Sequence, residues 1–270
     1  MDQRAVGVFD SGVGGLSAAR ELRRILPSEN IIYFGDTSRV PYGGRSREIL
    51  LHYARQDVAF LRSFDIKAIV VACGTVSTTA LPTLRQENDL PILGVVEPAC
   101  RWAVHKTKNK KVGLIATAAS VRSGSYERTL HEIDPDIQVI SKACPLFVPL
   151  VENGRFRPGD IVIETVAREY LEPMKATGID TLILGCTHYP LLYDVIHQIM
   201  GPDVCLINAG RESARALRDM LLREKMLTDQ EKGQTTLYAS DRPEDFGKLA
   251  VQFLGHPLHN PVRSVDIEKY

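Results

Sequence analysis

The 270-residue chain lacks an excess of charge of either sign, since 33 Lys and Arg residues balance 33 Asp and Glu residues. Net charge therefore gives no reason to expect a nucleic acid or an anionic membrane as a partner. No apolar run reaches the roughly 18 residues that a membrane-spanning helix needs, and no charged head with an apolar core suggests a signal peptide. The 44% of hydrophobic residues is typical of a globular protein.

Cysteines are few and odd in number, and no two of them form a C-x-x-C pair. This excludes a disulfide framework and gives no support for a metal site. We expect free thiols in the reducing cytoplasm, with no metal bound. The five residues are Cys73, Cys100, Cys144, Cys186 and Cys205.

Short apolar runs alternate with longer amphipathic segments along the chain. In "GLSAARELRRIL", apolar residues recur with the 3.6-residue period of a helix. Continuous apolar runs between helices predict parallel strands covered on both faces, so the expected fold class is α/β. The runs lie at 31–34, 68–72, 92–96, 112–116, 137–140, 181–184 and 204–207.

Two of these runs end alike, in a cysteine followed by a threonine. "IVVACGTVS" contains Cys73 and Thr75, and "LILGCTHYP" contains Cys186 and Thr187. Ligands of open α/β sheets bind beyond the carboxyl ends of the strands, which is where both cysteines fall. The repeat predicts two pseudo-symmetric lobes, each a mainly parallel sheet flanked by helices, with the active site in the cleft between them.

We place the first lobe at 1–97 plus about 210–270 and the second at 98–209. The inner limit falls where "VVEPACRW" leaves a predicted strand and begins a helix at a proline. Spacing alone leaves open which lobe holds the C-terminal part, which is predicted to be helical.

Two thiols at equivalent strand ends favour proton transfer over the other uses of cysteine. Metal binding has only the weak i, i+2 spacing of Cys186 and His188, redox exchange lacks C-x-x-C, and a cysteine hydrolase needs one thiol. Two-base chemistry uses both, because one thiolate takes a proton from one face of a carbon while the other thiol gives one.

Two turn-rich loops follow other predicted strands. "FDSGVGGL" carries Asp10 and Ser11 before a glycine turn whose spacing matches no nucleotide motif, although main-chain amides at the helix start could hold a small carboxylate. "GDTSRVPYGGRS" carries Pro41, Tyr42 and Gly43 at its tip. From the residues alone, a structural turn is as good an interpretation as a functional loop, and Asp10 is equally a favoured helix N-cap.

Taken in order, "FDSGVGGL", "PYG", "ACGT", "CPLFVPLVE" and "GCTHYP" resemble glutamate racemase over nearly the whole chain. The resemblance implies a cofactor-independent, cytoplasmic isomerase that interconverts L- and D-glutamate with two cysteines and supplies D-glutamate for peptidoglycan synthesis. We also expect a homodimer. A racemase of aspartate or another small acid, and a non-catalytic small-acid binding protein, stay open as alternatives.

The resemblance further implies roles for individual residues. Cys73 and Cys186 are the acid/base pair, with Asp10 beside the first thiol and His188 and Glu152 beside the second. The implied substrate-binding residues are Asp10, Ser11, Pro41, Tyr42, Gly43, Gly74, Thr75, Thr117, Thr187 and His188.

The chain departs from the resembled family at Gly74, where an asparagine is usual, and at Ser120, where a threonine is expected. The missing amide bears on affinity and on the local backbone more than on the type of reaction. If it contributed a hydrogen bond of about 0.5–1.5 kcal/mol, Gly74→Asn would lower KM.

Overall fold

The computed structural model describes residues 2–270 and shows ten strands within them. They are β1 (Ala5–Asp10), β2 (Ile31–Gly35), β3 (Ile66–Val71), β4 (Ile92–Leu93), β5 (Lys111–Ala116), β6 (Gln138–Ala143), β7 (Thr181–Leu184), β8 (Cys205–Asn208), β9 (Thr235–Ala239) and β10 (Arg263–Ser264). All pairings are parallel. One sheet has the order β10-β9-β2-β1-β3-β4 and the other the order β6-β5-β7-β8.

Twelve α-helices join these strands in the described part of the chain. They are α1 (Leu16–Ile25), α2 (Arg47–Arg62), α3 (Gly74–Thr79), α4 (Leu81–Glu87), α5 (Val96–Lys106), α6 (Ala118–Ser123), α7 (Ser125–Ile133), α8 (Phe147–Glu152), α9 (Ile161–Lys175), α10 (Tyr193–Met200), α11 (Ala209–Arg223) and α12 (Pro243–Leu254). Among residues 2–270, no helix is both long and apolar enough to cross a membrane.

The two sheets repeat one arrangement of four strands. The order β2-β1-β3-β4 in the first recurs as β6-β5-β7-β8 in the second. Cys73 stands two residues beyond the end of β3, and Cys186 stands two residues beyond the end of β7. The predicted α/β class with two pseudo-symmetric lobes is confirmed, and the repeat explains why the two cysteine motifs look alike.

The predicted strands differ from the observed ones in two places. The run at 92–96 is a strand only at Ile92–Leu93, and α5 begins at Val96 with Pro98 in its first turn, where the missing N–H of proline costs no hydrogen bond. The C-terminal part, which was predicted to be helical, also contains β9, and this strand pairs with β2. The pairing places β9 and β10 in the first sheet, whereas the exact limits of the two lobes stay a prediction.

The chain passes between the sheets twice, after β4 and again after β8. Helix α5 packs on the second sheet, while α11 packs against α1 and α5. The hydroxyl of Ser213 in α11 donates to the carbonyl oxygen of Gly94 at 3.2 Å, which joins the two crossings in the buried interior. The carboxyl ends of the central strands are thereby held facing one another.

Candidate active site

A cavity of about 560 Å³ lies between the carboxyl ends of the two sheets. Every residue that the sequence analysis named for catalysis or substrate binding contributes to its wall. These residues are Asp10, Ser11, Pro41, Tyr42, Gly43, Cys73, Gly74, Thr75, Thr117, Glu152, Cys186, Thr187 and His188. The fold therefore brings together groups that are as far apart in sequence as residues 10 and 188.

Sequence reasoning missed part of the wall, most of it apolar. Cys144, to which the sequence assigned no role in the site, is buried and lines the cavity, and burial raises its pKa to about 12. Its segment follows β6 as the Pro41 loop follows β2, so the strand repeat could have identified it. The other missed lining residues are Gly12, Val40, Gly44, Ala118, Pro145, Val148, Pro149 and Gly185.

On the first-sheet side, the Cys73 thiol lies next to a hydroxyl and a carboxylate. It is 4% exposed, and its Sγ lies 3.7 Å from the Oγ of Ser11. Burial raises the pKa of Cys73 to about 12, and the charge of Asp10 adds to the effect. At neutral pH this residue is therefore a thiol, with a proton to give.

Asp10 has one oxygen that is bound and one that is free. Its Oδ2 accepts hydrogen bonds from the main-chain N–H of Gly12 at 3.2 Å and of Gly15 at 2.9 Å. Its Oδ1 is buried and finds no hydrogen-bond partner among residues 2–270. Burial raises the pKa of Asp10, and the positive charge of His188 opposes that rise. A buried acceptor on the cavity wall with no partner is suited to a donor group on a ligand.

On the second-sheet side, the Cys186 sulfur belongs to a row of three groups. Its Sγ lies 3.8 Å from the Nδ1 of His188, and the Nε2 of His188 lies 2.8 Å from the Oε1 of Glu152. Burial alone would lower the pKa of His188, but hydrogen bonds to Cys186 and Glu152, with their charges, raise it to about 10. The ring is therefore a cation at neutral pH, next to the sulfur, where it can hold or relay a proton.

The two halves of the site touch through small groups. The hydroxyl oxygens of Thr75 and Thr117 lie 3.2 Å apart across the cleft. The hydroxyl of Ser17 in α1 donates to the carbonyl oxygen of Thr187 at 2.6 Å. The ring of His188 approaches Gly14 so closely that a Cβ there would lie 2.4 Å from its Cε1.

The wall contains no Lys or Arg among the described residues. A bound carboxylate would therefore be held by hydroxyls and main-chain N–H groups, as at other anion sites built from loops after strands. Residues 2–270 also contain no group of three or more His, Cys, Asp or Glu side chains placed to hold a metal ion.

Comparison with known proteins gives a consistent result. The family model described as Asp/Glu/Hydantoin racemase matches residues 19–217. A glutamate racemase of Geobacter metallireducens is 42% identical over 271 residues, with all of both chains covered. A crystal structure of a glutamate racemase isoform from Bacillus anthracis has a TM-score of 0.93 at 38% identity, covering 98% of each chain. The structure of the Francisella tularensis glutamate racemase in complex with D-glutamate has a TM-score of 0.91 at 35% identity, covering 100% of each.

The two parallel sheets flanked by helices match the fold of the solved glutamate racemases. The chain belongs to the Asp/Glu/hydantoin racemase family. The resemblance to glutamate racemase that its motifs indicated is confirmed, as is its classification as an isomerase.

Proposed function

We propose that the chain interconverts L- and D-glutamate without a cofactor, using Cys73 and Cys186 on opposite faces of the α-carbon. The observation that carries this proposal is the position of the two thiols. They stand at equivalent strand ends of two pseudo-symmetric sheets and line one cavity. The D-glutamate in the related Francisella structure supports the choice of substrate.

The reaction moves two protons and no electrons. In one direction the thiolate of Cys186 takes the α-proton, and the thiol of Cys73 gives its proton to the opposite face of the resulting carbanion. In the reverse direction the two sulfurs exchange roles. His188 and Glu152 assist proton transfer at Cys186, and Asp10 assists it at Cys73, as general acid–base catalysis requires.

Substrate recognition follows from the groups that lack partners. The free Oδ1 of Asp10 accepts a hydrogen bond from the substrate ammonium. Hydroxyls such as those of Ser11, Thr75 and Thr187, with nearby main-chain N–H groups, hold the two carboxylates. The D-glutamate so formed supplies peptidoglycan synthesis, and the cytoplasm is its expected compartment. The homodimer stays a prediction.

The substrate and the absence of a cofactor are tested together. Purified protein is incubated with L-glutamate or L-aspartate, with no cofactor added, and the enantiomers are separated by chiral chromatography. We expect D-glutamate to form and aspartate to stay unchanged. Turnover that appears only after pyridoxal phosphate is added would contradict the proposal. Turnover of aspartate but not of glutamate would show that the substrate is aspartate.

Solvent deuterium tests the use of two bases. The thiol that protonates the product carries deuterium in heavy water, while the other sulfur keeps the protium that it removed. Product isolated at a few per cent conversion should therefore be almost fully deuterated at the α-carbon, and the remaining substrate almost unlabelled, starting from either enantiomer. Substantial protium in the early product would show one base serving both faces.

A further inference from the structure

Behind the Pro41–Gly43 loop, outside the cavity, lies a buried group of charged and polar side chains. We name it the Arg39 cluster, and it consists of Asp36, Arg39, Gln56 and Asp57. Asp36 and Asp57 have no exposed surface, and Arg39 is 8% exposed. Burying two carboxylates and a guanidinium costs desolvation free energy unless each group is paired. The presence of this cluster therefore calls for a structural or functional explanation.

Arg39 holds the cluster together. Its Nε donates to the Oδ2 of Asp36 at 2.6 Å, and its Nη2 donates to the Oδ1 of Asp57 at 3.1 Å. Its Nη1 donates to the amide oxygen of Gln56, and its guanidinium stacks over the ring of Tyr53 at 4.2 Å. Asp57 and Gln56 lie on α2, so the cluster ties the loop after β2 to a rigid helix.

Tyr42 connects this cluster to the cavity. Its hydroxyl donates to the Oδ2 of Asp36 and lies 3.3 Å from the Oδ2 of Asp57. The residue is 2% exposed and contributes to the cavity wall, between Pro41 and Gly43. Because its hydroxyl is occupied on the far side, Tyr42 has only its ring and its main chain to offer a substrate.

We propose that Asp36 and Asp57, both held by Arg39, are positioning residues for the substrate that act through the Tyr42 hydroxyl. By fixing Tyr42 they hold the main chain of Pro41–Gly43 in the shape that receives a substrate carboxylate. The inference rests on the proposed function, since it concerns the same cavity. The Arg39 cluster would then contribute to the affinity for substrate and take no part in proton transfer.

The partners of Asp57 determine which substitutions test the idea. Its Oδ1 accepts from the Nη2 of Arg39, and its Oδ2 lies 3.3 Å from the hydroxyl of Tyr42. Burial raises the pKa of Asp57 well above its ordinary value, and the neighbouring charge of Asp36 raises it further, while Arg39 opposes both. Asparagine keeps the shape of the side chain and one oxygen, whereas leucine has neither oxygen.

The experiment compares Asp57→Asn, Asp57→Leu and Tyr42→Phe with the wild-type chain, measuring kcat and KM for both enantiomers of glutamate. The matched control is Asp89→Asn, which removes an exposed ion pair with Arg62. Arg62 lies on α2, the helix that carries Asp57. We expect KM to rise on the order of tenfold in Asp57→Leu and Tyr42→Phe, which is about 1.4 kcal/mol. We expect kcat to change by less than about threefold, and Asp57→Asn and the control to keep KM within about twofold of wild type.

A purely structural cluster would lower the thermal midpoint and the yield of active protein without moving KM. If Asp57→Leu does not fold, Tyr42→Phe still decides, because it keeps the buried ring and removes one oxygen. A folded Tyr42→Phe variant with wild-type KM would overturn this inference and leave the proposed function standing. A wild-type chain that neither racemises glutamate nor exchanges its α-proton would overturn the proposed function and this inference with it.

Discussion

The carbonyl oxygen of Gly185 lies 2.6 Å from the point that a Cβ of Gly74 would occupy. Gly74 follows Cys73 and Gly185 precedes Cys186, so this contact joins the two lobes beside both thiols. A real Cβ cannot sit that close to a main-chain oxygen without a shift of backbone. The absence of a side chain at residue 74 therefore sets how near the two halves of the site approach.

Gly74→Ala should move the two thiols apart and lower kcat/KM by about 10–100-fold, because small displacements of reacting groups are costly. Gly74→Asn should do the same, although the sequence alone predicted a lower KM for it. Steady-state kinetics on glutamate test both variants. Gly247→Ala is the control, since its Cβ would meet its nearest atom at 3.6 Å. A Gly74→Asn variant with improved KM would show that the contact yields easily.

Removing either thiol should remove racemisation nearly completely. Cys73→Ala and Cys186→Ala should each lower kcat by about 10²–10⁴-fold, the usual contribution of a general acid or base, and each can retain proton exchange on one face. Chiral chromatography measures inversion, and mass spectrometry in heavy water measures exchange. Cys205→Ala, in β8 and away from the cavity, is the control. Racemisation by Cys73→Ala at more than about a tenth of the wild-type rate would contradict the two-thiol assignment.

The His188–Glu152 pair predicts how stability depends on pH. The folded state keeps the proton of His188 up to a pKa of about 10, whereas the unfolded chain loses it near its ordinary value of about 6.5. The contribution of this group to the free energy of unfolding is therefore complete below about pH 6.5 and is lost as pH rises towards 10.

Glu152→Gln removes the negative charge beside Nε2, so the pKa of His188 should fall and the decline of stability should occupy a narrower range of pH. Urea unfolding between pH 6 and 9, with a nitrogen-15 NMR titration of the ring, measures both effects. Glu172→Gln, which removes the exposed ion pair with Arg168, should change neither. A decline that ends at the same pH in wild type and Glu152→Gln, with the same pKa of the ring, would mean that Glu152 does not hold the proton on His188.

Asp10→Asn should lower the pKa of Cys73, because the charge of Asp10 adds to the effect of burial. The pKa should stay above its ordinary value, since burial is the larger cause. The rate of Cys73 alkylation by iodoacetamide, followed by peptide mass spectrometry against pH, should then show its inflection at lower pH, while kcat falls. Asp65→Asn, an exposed aspartate before β3, serves as control. An unchanged inflection would show that the charge of Asp10 does not affect the pKa of Cys73.

The strands and the two cysteines were predictable because they leave local signals, whereas the roles of Asp10, Glu152 and His188 came from the resemblance to a known family. Continuous apolar runs marked the positions of β3, β5 and β7, and the repeated cysteine and threonine marked the two strand ends. The Arg39 cluster left no such signal. Asp36 and Asp57 are ordinary acidic residues in sequence, and only tertiary packing makes them buried partners of Arg39. Strand β9 was not predicted for a related reason. It pairs with β2, which lies about 200 residues earlier in the sequence, and its own apolar run is short.

The hydrogen bond between Ser213 and Gly94 has a mechanical consequence. Gly74 and Gly185 border a small void together with Val95 of the first crossing and Gly210 of the second. The residue after Cys73 and the residue before Cys186 therefore lie beside the same two chain segments that this hydrogen bond joins. Ser213 does not line the cavity, so replacing it would alter the support of the two sulfurs and leave every group on the cavity wall in place.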